Sequence, residues 1–140
     1  MKGSDVKYPG MRIELLEEVC ILSEPEIQKG WFDSNFKHSF SDSISFYILT
    51  LIDAMPCEDK PPDAIGVVFR NYEELVYVHF LHTTLLRAIN TIDENQSDED
   101  YFNSPLWQDV IEAAKQAHAV LMKDEDLEAL AEAERNRVVE

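Results

Sequence analysis

Residues 71–91 read NYEELVYVHFLHTTLLRAINT, and this stretch decides the fold. Asn71 stands three residues before Glu74, a capping-type pair that marks the start of a helix. Behind it come Leu75, Val76, Val78, Phe80, Leu81, Leu85, Leu86 and Ile89. Wound into a helix, these side chains cover more than half of the circumference. A helix that is apolar on most sides needs neighbours on several of them, so its expected place is the middle of a helical bundle.

The flanking sequence supplies those neighbours. Downstream, Ser104-Pro105 puts a capping residue before a proline whose missing N–H is harmless in a first turn. Leu106, Trp107, Val110, Ile111, Ala114, Ala117 and Leu121 follow at i, i+3, i+4 spacing. Upstream, periodicity begins near Met11 and runs through Ile13, Leu15, Leu16, Val19, Cys20 and Leu22. Ser23 with Glu26 reads as a capping box, with Pro25 in the first turn of a second, short helix that Gly30 ends.

Ser39 to Asp42 offers caps for a further helix carrying Ile44, Tyr47, Ile48, Leu51 and Ile52. Pro56 and Pro61-Pro62 make residues 56–63 a loop. The run Ile65-Gly66-Val67-Val68-Phe69 is β-branched, yet a lone strand lacks a partner, so a short helix or turn is expected. The expected fold is all-α: one domain, a bundle of about four to six helices. Residues 1–10 read as a flexible lead-in, 11–122 as the helical domain, and 123–140 as a polar, acidic helical extension that frays.

Charge is the global property that bears on function. The chain sets 28 Asp and Glu against 12 Lys and Arg, a net charge of −16 on 140 residues. Solubility asks for a magnitude of only about 2 to 8. Such an excess repels itself, draws basic partners and repels nucleic acid and anionic membranes. Two clusters concentrate it: Asp93, Glu94, Asp98, Glu99 and Asp100, then Asp124, Glu125, Asp126, Glu128, Glu132 and Glu134. The expected partner is a basic protein, with no nucleic acid and no membrane; the oligomeric state stays open.

Catalytic chemistry finds little support. His79 and His82 lie three apart and could share a metal with Glu73, Glu74 or His118, but the H-E-x-x-H arrangement is missing. Helix histidines without a ligand role are the simpler reading. Cys20 and Cys57 have no C-x-x-C spacing and no flanking signature of a cysteine enzyme, so two buried or half-buried thiols are expected. No G-x-S-x-G and no phosphate-cradling glycine loop occurs among the four glycines. No enzyme, cofactor or metal is therefore expected. The N-terminal MKGSDVKYPG lacks an apolar segment, and no run approaches the roughly 18 apolar residues of a membrane span, so the expected location is the cytoplasm.

Two aromatic pairs sit beside acidic or polar residues, Trp31-Phe32-Asp33 and Tyr101-Phe102-Asn103, and their rings either fold back on the bundle or stand out as anchors. Interfaces favour aromatic anchors within a polar rim. Asp93, Glu94, Asp98, Glu99, Asp100, Tyr101 and Phe102 therefore form the first candidate for partner binding, and Trp31, Phe32 and Asp33 the second.

The chain also resembles a family. Arg12-Ile13-Glu14-Leu15-Leu16-Glu17 followed by Leu22-Ser23-Glu24-Pro25, then Ile65-Gly66 leading into Arg70-Asn71-Tyr72-Glu73-Glu74, then Tyr101-Phe102-Asn103-Ser104-Pro105-Leu106-Trp107, carry the likeness. These segments, spread over residues 11–122, are similar to small acidic bacterial immunity proteins of contact-dependent growth-inhibition and polymorphic toxin systems. The resemblance implies an all-α inhibitor without catalysis of its own that binds a cognate toxin domain, often a nuclease. A nuclease face is basic because it holds phosphate, so it is opposite in sign to this chain and complementary to it. The alternative is an acidic protein-interaction or regulatory module with no toxin partner.

Overall fold

The structure, a computed structural model, describes residues 1–30, 32, 65–93 and 95–139. Helix α1 spans Pro9–Ser23, α2 Pro25–Lys29, α3 Tyr72–Thr91, α4 Asp98–Asn103, α5 Pro105–Met122 and α6 Leu127–Val139. A single 3-10 turn, Gly3–Asp5, precedes them. Among the described residues there is no strand, and the helices form one all-α bundle. The expected helix at Ile44–Ile52, the loop at 56–63 and Cys57 lie outside the described residues.

Among the described residues α1 and α3 both pack on helix α5. Whether residues 71–91 hold the middle, as expected, turns also on residues 33–64, which lie outside the described residues. Small and large side chains alternate on the face of α5 that receives them. Ala113, Ala114 and Ala117 are buried on α5 and let neighbouring backbones approach closely, while Trp107, Val110, Ile111 and Leu121 fill the rest of its inner face. Leu15, Leu16, Val19 and Leu22 come from α1, and Leu75, Val78, Leu81, Leu85 and Ala88 from α3. On its outer side α3 leaves Tyr72, Val76 and Phe80 exposed.

Helix starts follow the sequence in part. The Asn71 side chain accepts a hydrogen bond from the Glu74 N–H at 3.0 Å, the cap expected there. The Glu74 side chain turns elsewhere, so the box is only half formed. Pro25 and Pro105 both stand at the start of their helices. The Ser23 box does not form: Ser23 belongs to the last turn of α1, and its hydroxyl donates to the Cys20 carbonyl at 2.7 Å. Ser97 caps α4 by accepting from the Asp100 N–H, and Asp126 caps α6 by accepting from the Ala129 N–H.

Residues 65–69 form a turn, as expected, closed by Gly66 N–H donating to the Phe69 carbonyl at 2.8 Å. Gly66 has φ +90, a backbone region that side chains with a Cβ rarely enter. Val68 and Phe69 are buried, which anchors the turn against the core.

Both ends of the chain depart from expectation. Residues 1–10 are no loose lead-in. Val6 is buried, Lys7 N–H donates to the Gly66 carbonyl at 2.7 Å, and Tyr8 N–H donates to Val67 at 3.0 Å. Residues 123–139 are no free extension either. Helix α6 lies against α1 and the 3-10 turn, with Leu130 fully buried. Glu134 of α6 accepts from the Gly10 N–H at 2.9 Å, placing a carboxylate at the N-terminus of α1 where the helix dipole favours it. Leu130 and Glu134 thus dock a helix that is otherwise largely polar.

Candidate functional site

The most concentrated chemistry in the molecule grows from Arg12, on the inner side of α1 one turn before Leu15 and Leu16. Its guanidinium is fully buried. Nε donates to Glu125 Oε1 at 2.7 Å, Nη1 to Glu74 Oε1 at 2.9 Å and to the Val68 carbonyl at 3.0 Å. Nη2 donates to Glu74 Oε2 at 3.0 Å and to the Leu121 carbonyl at 3.1 Å. A guanidinium has five N–H donors, and all five are used.

Glu74 is equally saturated. Besides the two bonds from Arg12, Oε1 accepts from the Arg70 backbone N–H and Oε2 from Arg70 Nε, each at 2.7 Å. Arg70 Nη2 also reaches the Leu121 carbonyl at 3.1 Å. Burial works against the Arg12 charge, but the hydrogen bonds and negative charge of Glu74 and Glu125 outweigh it and raise its pKa.

Two arginines and two carboxylates thus cancel inside the protein. They tie α1, the 65–69 turn, the start of α3, the end of α5 and the segment leading to α6 to one point. With every donor of Arg12 and every lone pair of Glu74 engaged, this centre is built to hold the fold. A second buried polar link does similar work. Gln28 Nε2 donates to the Ile21 and Leu22 carbonyls at the end of α1, and its Oε1 accepts from Trp107 Nε1 at 2.9 Å. Sequence reasoning missed both centres. Their signal was present: Arg12 falls on the same helical stripe as Leu15, Leu16 and Val19, where a charge needs buried partners.

The candidate partner-binding residues separate in the structure. Asp93, Glu99 and Asp100 are exposed and Asp98 is half-buried. Tyr101 and Phe102 are 4% exposed and belong to the core, so they are not rim anchors. Tyr101 packs against Trp107 with centroids 6.0 Å apart. The reason for the difference is that 98–103 is a helical turn, which points these two rings inward instead of leaving them on an open loop. Phe32 is half-buried and meets Phe102 edge-on, with centroids 5.5 Å apart and planes at 71°. Trp31, Asp33 and Glu94 lie outside the described residues.

The carboxylates of residues 98–100 occupy the first turn of α4, where they favour the helix dipole. In the last cluster, Glu125 pairs with Arg12, Asp126 caps α6, and Glu132 and Glu134 pair with Arg135 and Arg137. His79 is exposed and His82 half-buried; burial and then the neighbouring His79 lower the His82 pKa. Glu74, a conceivable ligand beside them, is committed to Arg12 and Arg70. Among the described residues no group of three or more His, Cys, Asp and Glu is arranged to hold a metal. Cys20 is a free, half-buried thiol whose pKa is raised by burial and by Glu24, which makes it a poor nucleophile. Among the described residues no helix is long and apolar enough to cross a membrane.

Residues 6–129 match the model of a protein family described as Domain of unknown function (DUF7945). No curated protein and no solved structure matches the chain.

Proposed function

The chain belongs to the DUF7945 family, and we propose that it is a non-catalytic inhibitor of the immunity type. Its acidic surface captures a basic toxin domain, a nuclease by the sign and strength of the charge. The observation that carries this reading is where the charge sits. The buried arginines and glutamates cancel, so the whole net charge of −16 is borne by the rest of the chain. A surface of that sign complements the phosphate-binding face of a nuclease, speeds encounter and competes with nucleic acid for the same cations.

Asp93, Asp98, Glu99 and Asp100 are the contact carboxylates proposed from the described residues, with Glu94 beside them in sequence. A rigid bundle edge loses little entropy on binding, which favours these positions over long free side chains elsewhere. The test is inhibition. The protein is mixed in equal amount with a basic nuclease toxin domain, taken from a neighbouring gene where one encodes it, and nuclease activity is followed. Loss of activity is expected, and reversal of Asp98, Glu99 and Asp100 to Lys should restore it. Full nuclease activity at saturating protein would overturn the reading.

A further inference from the structure

The outer face of α3 stands apart from the rest of this acidic molecule. Residues 75–92 contain no Asp or Glu, in a chain where one residue in five is acidic. Tyr72, Val76 and Phe80, spaced one helical turn apart, are 59%, 46% and 55% exposed. The stripe continues beyond Phe80. Thr84 donates its hydroxyl to the Phe80 carbonyl at 2.8 Å and Thr83 to the His79 carbonyl at 3.0 Å. With both hydroxyls turned back onto the helix, the two threonines add methyl groups to the surface. The apolar stripe from Tyr72 to Thr84 is about 18 Å long at the rise of an α-helix.

Opposite charges close its two ends. Glu73 precedes Phe80 by seven residues and Arg87 follows it by seven, and both are exposed on the same side of the helix as Phe80. Among the described residues neither makes an ion pair. Such a face is complementary to itself. Turned through a two-fold axis at Phe80, a second α3 runs antiparallel, brings Phe80 against Phe80, Val76 against Thr84, and Glu73 towards Arg87 at both ends.

We infer that α3 is a self-association surface, and that its occupant is the α3 of a second copy of this chain, packed antiparallel about Phe80. Charge argues for this occupant. Two bodies at −16 repel one another least where they meet through a face whose centre is free of carboxylates and whose Glu73 is answered by an arginine at each end. Size argues for a weak dimer. One helix face per partner buries an area below the standard interface of about 1,600 Å², so the dimer forms at high protein concentration and dissociates on dilution. This inference does not rest on the proposed toxin partner.

Sedimentation of the full chain tests it, from about 1 µM up to about 1 mM, the range in which so small an interface should dissociate. A reversible monomer–dimer transition is expected. Phe80→Asp, at an exposed position that leaves the core intact, should raise the dissociation constant by about 30-fold or more. Arg87→Glu should raise it about tenfold by setting like charges against each other at both ends, and adding Glu73→Arg should restore it. A parent chain that stays monomeric throughout, its stripe covered by its own residues or by another protein, overturns the inference. So does a dimer that Phe80→Asp leaves unchanged, or a charge swap that fails to rescue Arg87→Glu.

Discussion

The Arg12 guanidinium and the Glu74 carboxylate lie edge to edge with both side chains fully buried, Nη1 to Oε1 at 2.9 Å and Nη2 to Oε2 at 3.0 Å. A buried ion pair is no automatic gain, because removing both charges from water costs several kcal/mol per ion. Here the cost is met by complete hydrogen bonding, and the pair joins segments 62 residues apart in sequence. Breaking one side should therefore be far worse than the pair's net contribution.

Glu74→Gln leaves Arg12 and Arg70 facing a neutral amide and should destabilise the fold by about 3–5 kcal/mol. Urea unfolding followed by circular dichroism measures it. Arg12→Lys keeps the charge but loses the planar fork and its five fixed donors, so it should remain clearly destabilised. A near-neutral Glu74→Gln would mean that water or a rearranged Arg70 replaces the carboxylate.

Ending the chain after Lys123 should lower the thermal midpoint sharply. It removes Glu125 from buried Arg12, the fully buried Leu130, and the Glu134 carboxylate from the Gly10 N–H. Leu130→Ala alone should cost about 2–5 kcal/mol, the usual range for a leucine truncated in a packed core. Calorimetry of the two variants checks both, and an unchanged transition in either would undock α6 from the account.

Two groups should shape the pH profile in opposite senses. Burial, then the negative charges of Glu17 and Glu14, raise the Glu18 carboxyl above its ordinary 4.5. The folded state thus holds this proton more tightly than the unfolded chain, and the associated stability is lost as pH rises through the raised value. Glu18→Gln should stabilise the protein at neutral pH by about 0.5 kcal/mol, with the gain fading below pH 4.5. For His82 the folded pKa lies below the ordinary 6.5, so stability falls as pH drops beneath 6.5. His82→Gln should flatten that limb of the denaturation profile.

The helices were legible because their signals are local. Pro25 and Pro105 mark first turns, and Leu15, Val19, Leu81, Leu85, Val110 and Leu121 show the period of a buried face, while Pro9, which opens α1, went unread. The packing of both α1 and α3 on α5 was less legible, since apolar count drew attention to α3 while α5 presents the small residues Ala113, Ala114 and Ala117. Tyr101 and Phe102 were misplaced for a related reason. An acidic run looked like a loop, but Ser97 caps it into a helical turn whose rings face the core. The docking of residues 123–139 depends on single contacts over long separations, Arg12 with Glu125 and Gly10 with Glu134, and no periodicity records those.

The central claim is that acidic charge draws a basic protein partner, and the association rate against salt tests it most directly. Binding to the basic nuclease domain that the protein is proposed to inhibit is followed by stopped flow from low to high ionic strength. The account predicts a rate that falls steeply as salt shortens the Debye length, with a much smaller change in dissociation. An association rate independent of salt, or no binding to that domain at all, would contradict it.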